Sequence, residues 1–137
     1  MNSHEADTTV LVADDDPDLL EYIKFRLEHA GFQVVTARHG EEALSLALEQ
    51  QPGLAVLDVR MPKLDGFEVT RRIRKNDGLR EMPIILLTAS SEGADMRAGY
   101  EAGADDYLRK PFSAPDELIT SVQALLQRVS PLDSATS

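Results

Sequence analysis

The 137-residue chain contains no cysteine and no tryptophan, and only 5% of it is aromatic. Without cysteine there is no disulfide framework, no thiolate nucleophile and no cysteine metal site, which suits a reducing compartment. Positive charge is scarce: 14 Lys plus Arg stand against 24 Asp plus Glu, a formal charge of −10 with His neutral. A chain this acidic lacks the basic surface that supplies most of the affinity for nucleic acid or anionic lipid, so neither is expected as a direct partner. Long hydrophobic runs are missing too. The longest aliphatic run, residues 84–87, falls far below the ~20 residues a membrane span needs. The N-terminus MNSHEADTTV has no apolar stretch of the kind a signal peptide carries. What remains is a single soluble domain, expected to be cytoplasmic, with 42% hydrophobic residues from which to build one core.

Five short apolar runs punctuate the chain, at residues 10–13, 32–35, 54–59, 84–88 and around 107–108. Between them lie segments with helical periodicity, such as Leu19, Leu20, Ile23 and Leu27, or Ala43, Leu44, Ala47 and Leu48. Near-continuous apolar strands separated by helix-length spacers are the pattern of a parallel sheet covered on both faces, and predict (βα)5. Asp16 before Pro17 predicts a capped helix start, Gly31 a helix end, and Gly40 precedes the second helix. Asp65-Gly66 opens a third helix through Lys75, residues 76–83 read as a polar loop, and Ser113 is the expected cap of a final helix ending at Arg128. The boundaries are thus a flexible N-terminus over 1–8, one domain over 9–129, and a flexible tail or the start of a linker over 130–137.

In an open parallel sheet, ligands meet the carboxyl ends of the strands. Here the first strand ends in Asp14-Asp15-Asp16, the third runs into Asp58, the fourth ends in Thr88, and the fifth ends in Lys110-Pro111. Asp16 is accounted for as a cap. Asp14, Asp15 and Asp58 are not: carboxylates a few Å apart repel by up to about 4 kcal/mol at an effective dielectric near 20, so three aimed at one edge call for a cation or a shared proton. An all-oxygen site with few protein ligands suits Mg2+. Alone, Thr88 would pass for a strand residue, Lys110 for a surface charge and Tyr107 for packing. His4, His29 and His39 lack metal-ligand spacing. Neither GxGxxG nor GxxxxGK[ST] occurs, so dinucleotide and P-loop chemistry are unsupported.

The segments VLVADDDPDLL, LAVLDVRMPKLDGFE, PIILLTAS and GADDYLRKPF, in this order and spacing, resemble the response-regulator receiver domain of two-component signal transduction. The resemblance covers roughly residues 9–129 and implies a doubly wound, flavodoxin-like sandwich on a parallel five-stranded sheet of order 2-1-3-4-5. It implies Asp58 as phosphoacceptor. Asp15, Asp58 and the backbone carbonyl of Arg60 would be Mg2+ ligands, with Asp14 acting through water. Thr88, Ala89 and Lys110 would contact the phosphoryl group, and Tyr107 would turn inward as Thr88 moves. A cis Lys110-Pro111 bond is implied as well. The chain is then a regulatory phosphoacceptor that assists its own phosphorylation and dephosphorylation, not an enzyme. A sensor histidine kinase or phosphotransfer protein would supply the phosphoryl group, and an unknown downstream protein or effector domain would receive the signal. The competing enzyme reading, a Mg2+-dependent phosphatase with an aspartate nucleophile, would want a second Asp two residues after Asp58, where Arg60 stands.

Two positions tune phosphoryl lifetime in that family, and here they are Arg60 and Ser90; neither offers an acid or amide to position an attacking water, so slow autodephosphorylation is expected. The expected fourth helix, SSEGADMRAGYEAG, carries Gly93 and Gly99 and few large apolar residues. That makes it a marginal helix, easy to shift, or one built for close packing. GADDYLRKPF most resembles the winged-helix transcription-factor branch, which implies a phosphorylation-dependent dimer through the fourth helix, fifth strand and fifth helix. Asp105, Asp106 and Glu117 fit that interface, whereas Met96, Ser121 and Gln123 stand where basic residues are usual. Both a single-domain regulator and a receiver excised from a longer protein remain open.

Overall fold

The computed structural model describes residues 8–89, 93–110 and 116–128. Strands β1 (Thr9–Ala13), β2 (Gln33–Ala37), β3 (Leu54–Asp58), β4 (Ile84–Thr88) and β5 (Asp106–Arg109) alternate with helices α1 (Pro17–His29), α2 (Gly40–Gln50), α3 (Gly66–Arg74), α4 (Gly93–Ala102) and α5 (Glu117–Arg128). All strand pairs are parallel, in the order β2-β1-β3-β4-β5. The chain is therefore the five-stranded, doubly wound α/β sandwich expected of it. No helix among the described residues is long and apolar enough to cross a membrane.

Strand periodicity divides the core. Val10, Val12, Leu54, Val56, Ile85 and Leu87 face α1 and α5, where they meet Leu20, Ile23, Leu27, Leu118, Val122 and Leu125. Their neighbours Leu11, Ala13, Ala55, Leu57, Ile84 and Leu86 face the other way, toward Ala43 and Ala47 of α2 and Val69 and Ile73 of α3. Every residue of β3 and β4 is buried because both central strands are covered on both sides, whereas edge strand β2 is mostly half-exposed. That exposure explains why its hydrophobic run misplaced it. The strand extends past Val35 through Thr36 to Ala37, held in register from Thr9↔Gln33 to Ala13↔Ala37, while Phe32 is buried just ahead of it.

The helix starts follow from capping. The Asp16 carboxylate accepts from the backbone of Asp18 and Leu19, with Pro17 at the first position of α1. Asp65 caps α3 by accepting from Glu68 N at 2.8 Å. α2 starts one residue earlier than its sequence suggested: Gly40 is its first residue, and His39 is the cap, its Nδ1 accepting from Glu42 N at 3.2 Å. Gly40 sits there because a Cβ would lie 1.8 Å from the Leu64 carbonyl oxygen, so only glycine lets α2 touch the β3–α3 loop. α2 ends on Gln51 in the left-handed region, a non-glycine cap. The 76–83 connection is less polar than it reads, since Leu79 and Met82 plug the core beneath it. The expected Ser113 cap lies outside the described residues, as do the two termini and Pro111 of the expected cis bond.

Candidate functional site

β1 and β3 are neighbours in the sheet, so the residues that follow or end them emerge side by side at its carboxyl edge. Asp14 leaves β1 with its N–H on the Ala37 carbonyl. Asp58 ends β3, and the next residue is gripped on two sides: Val59 N donates to Leu87 O at 2.8 Å, and Val59 O accepts from Gly66 N at 2.9 Å. Gly66 is required by that grip, because a Cβ would stand 2.5 Å from the Asp58 carbonyl oxygen. Lys110 is aimed from β5, its backbone N–H on Thr88 O at 2.7 Å.

These backbones converge three acids and one cation. Carboxylate oxygens of Asp14, Asp15 and Asp58 lie within 4.8 Å of one another. Asp14 is fully buried, Asp58 is 4% exposed, and Asp15 faces solvent. The Lys110 ammonium sits between the two buried acids, 3.2 Å from Asp14 Oδ2 and 3.3 Å from Asp58 Oδ1. Asp14 uses its second oxygen on Asp16 N at 2.9 Å, so Asp14 is locked, and Asp58 is the buried acid with fewer commitments. Burial, then the charge of Asp14, push the Asp58 pKa up to about 6, against the opposing pull of Lys110. Burial works against the charge on Lys110, but the carboxylates of Asp58 and Asp14 outweigh it and hold its pKa above the usual lysine value. Within this group of four, one lysine stands against three carboxylates, a net charge of about −2 when all are ionised, and the acidic donor set is all oxygen with one member facing solvent. Asp14, Asp15 and Asp58 thus fit a hard divalent cation such as Mg2+.

Around this centre, Thr88 is 2% exposed at the end of β4 and Ala89 lies exposed beyond it. Arg60 is exposed and lines a cavity of about 500 Å3 together with Asp15, Met61, Asp65, Phe67 and Asp95. Asp65 and Asp95 carried no separate sequence signal for that position; only the fold brings both helix starts to the cavity. Ser90 lies outside the described residues. Tyr107 is the ring expected to turn inward as Thr88 moves. It is already buried, 8% exposed, and burial raises its pKa, partly offset by the nearby Thr88 hydroxyl.

The sequence pattern also missed Arg74. Its guanidinium donates to the carbonyls of Gly103 at 2.9 Å, Arg80 at 3.1 Å and Met82 at 2.6 Å, and pairs with Asp105 Oδ2 at 2.9 Å. An arginine in a basic helix end gives no local sign of such a partner set.

Comparison with known proteins agrees with this fold. The transcriptional regulatory protein GltR of Pseudomonas aeruginosa is 47% identical over 120 residues, which is 88% of this chain and 49% of that protein. The chain thus spans about half the length of that curated relative. Since the relative is named a transcriptional regulator, the expectation of no nucleic-acid partner finds no support. Among solved structures, a response regulator from Chloroflexus aurantiacus superposes with a TM-score of 0.84 at 39% identity, covering 88% of this chain and 98% of its own. The receiver domain of sensor histidine kinase PA1611 from Pseudomonas aeruginosa, solved with a magnesium ion coordinated in its active-site cleft, gives a TM-score of 0.76 at 34% identity, covering 88% and 95%. Residues 10–123 match the family model of the response regulator receiver domain. With its fold, its acidic centre and this match in agreement, the chain belongs to the response-regulator receiver family, the signalling domain of two-component systems.

Proposed function

We propose that this chain is a phosphorylation-dependent switch in which Asp58 accepts a phosphoryl group from a phosphohistidine of a sensor histidine kinase or phosphotransfer protein. The observation that carries the reading is the three-acid cluster with one half-buried lysine at the carboxyl edge of the sheet. An Asp58 carboxylate oxygen attacks phosphorus, the donor's P–N bond breaks, and the departing imidazole keeps the electron pair and takes up a proton. In-line phosphoryl transfer is mostly positioning and charge neutralisation, and this chain supplies both. Val59, gripped by β4 and Gly66, fixes Asp58. Lys110 compensates part of the repulsion between a carboxylate and an incoming anion. Asp14, anchored on Asp16 N and Lys110, keeps Lys110 aimed at that position. Asp15, Asp58 and the Arg60 carbonyl would hold Mg2+, with Asp14 reached through water. When bound, Mg2+ supplies the remaining positive charge on the transferring oxygens.

The acyl phosphate then brings new acceptor oxygens within reach of Thr88, the Ala89 backbone and Lys110. Thr88 adjoins Tyr107, which links the site to α4, β5 and α5, the surface read by a downstream protein or effector domain. The chain acts on itself and turns over no separate substrate. Arg60 and Ser90 set phosphoryl lifetime, and with no acid or amide there to orient water, that lifetime is long. The test is incubation with Mg2+ and acetyl phosphate, or with beryllofluoride, followed by mass and oligomeric state for the wild type and Asp58→Asn. A change confined to the wild type is the expected result, and no Asp58-dependent change would sink the proposal.

A further inference from the structure

Gly99 lies in the middle of α4, and its surroundings differ from those of a glycine that merely loosens a helix. A Cβ there would stand 2.9 Å from Tyr107 Cδ2, 3.1 Å from Tyr107 Cε2 and 3.1 Å from Leu86 Cδ1. The Tyr107 ring therefore lies against the bare backbone of α4. Leu86 and Tyr107 are register partners in β4 and β5, and the Tyr100 ring tilts against Tyr107 with centroids 6.3 Å apart. The ring is enclosed, yet its buried hydroxyl, although near the Thr88 hydroxyl, makes no well-formed hydrogen bond among the described residues. Burying the ring is favourable and stranding its hydroxyl is unfavourable, by amounts of similar size. A ring held in by balanced opposing terms can leave, and the shape of its seat decides how often it does.

We propose that Gly99 is a positioning residue for the switch. The absence of a side chain at 99 forms the seat in which Tyr107 is buried beside Thr88, and so sets how strongly Asp58 phosphorylation is coupled to the α4, β5 and α5 surface. Any side chain at 99 displaces the ring without touching the acidic centre. The coupling half of this statement rests on the reading of Asp58 as phosphoacceptor; the seat itself does not. Because coupling is reciprocal, a variant that expels the ring must also weaken whatever binding at Asp58 favours the buried ring, by the same factor.

The experiment uses protein labelled with 3-fluorotyrosine, whose three tyrosine signals (Tyr22, Tyr100 and Tyr107) are assigned with single Tyr→Phe variants. In Gly99→Ala, the Tyr107 fluorine signal should move to a solvent-exposed position with a D2O isotope shift. Affinity for Mg2+ with beryllofluoride should fall about fivefold or more. In a Tyr107→Ala background the same Gly99→Ala change should alter that affinity less than twofold. Folding by the double variant where Gly99→Ala alone fails to fold would support the seat, since removing the ring removes the collision. An unmoved Tyr107 signal overturns the seat, as does failure of both variants to fold. A moved signal with unchanged affinity overturns the coupling. Loss of any Asp58-dependent response in the wild type defeats the phosphoacceptor reading instead, and the fluorine signal still decides the seat.

Discussion

Replacing Asp58 with asparagine should make the metal-free protein more stable, even though it breaks a buried ion pair. In the wild type one ammonium faces two buried carboxylates at 3.2 and 3.3 Å, with Asp15 close by. The substitution removes the acid with fewer commitments and leaves Lys110 paired with Asp14. The pKa of Asp58 rises from 3.8 to about 6, and at 1.36 kcal/mol per unit this amounts to about 3 kcal/mol of destabilisation carried by the ionised form. Below pH 3.8 the group is protonated whether the chain is folded or not, and the penalty is absent. Between pH 4 and 6 the unfolded chain releases its proton while the folded chain keeps it, so wild-type stability falls as pH rises, and above 6 the penalty is complete. Thermal and urea unfolding of both proteins from pH 4 to 7.5 measures this directly. At pH 7.5 Asp58→Asn should melt roughly 10 °C higher, with the gap closing toward pH 4. Burial is the largest cause of the shift, so added salt should leave most of the gap intact. Mg2+ should raise the wild type by mass action and narrow it. An Asp58→Asn protein that is less stable than the wild type at pH 7.5, or a gap that ignores pH, would refute the electrostatic reasoning.

Three further outcomes follow from particular contacts. Gly40→Ala drives a Cβ to 1.8 Å from the Leu64 carbonyl oxygen, a collision with fixed backbone that should cost about 3 kcal/mol or more in urea unfolding. Arg74→Ala should cost about 3 kcal/mol by stranding the Gly103 and Met82 carbonyls and Asp105, and Arg74→Lys should not restore it, because a single ammonium cannot reproduce the fork. Arg60→Ala should shorten the phosphoryl lifetime of Asp58 several-fold in a dephosphorylation time course, since Arg60 borders the cavity beside the site; a lifetime of seconds in both proteins would count against shielding by Arg60.

The parts legible in sequence are those encoded over a few neighbouring residues. The apolar runs of β3 and β4 mark central strands, and Asp16-Pro17 and Asp65-Gly66 mark helix starts, because cap and helix touch within one turn. The acidic centre was legible for a related reason: parallel strands bring their carboxyl ends to one edge, so acids placed after β1 and β3 must meet. What stayed hidden depends on contacts far apart along the chain. Gly40 meets Leu64, Gly99 meets Tyr107 and Arg74 meets Asp105, and in none of these pairs does either residue type announce its partner. The open choice at Gly99 between a loose helix and close packing resolves toward packing, although nothing within α4 alone distinguishes the two.

The two acids of GADDY show the same limit in a place that bears on signalling. The resemblance reads Asp105 and Asp106 as charges offered to a second copy across α4, β5 and α5. In the folded chain both are engaged at home. Asp105 accepts from Arg74 and from Ile84 N at 2.9 Å, and Asp106 accepts from Tyr107 N at 2.8 Å and from the Ser121 hydroxyl. A carboxylate already satisfied in this way gains little from another exposed cation. Ser121 stands where that branch usually carries a basic residue, and its hydroxyl ties α5 to β5 instead. Met96 and Tyr100, by contrast, are 43% and 46% exposed on α4. Asp105 and Asp106 therefore organise the domain internally. Tyr100 is also the ring that leans on Tyr107, so the exposed apolar surface of α4 is in direct contact with the ring buried beside Thr88.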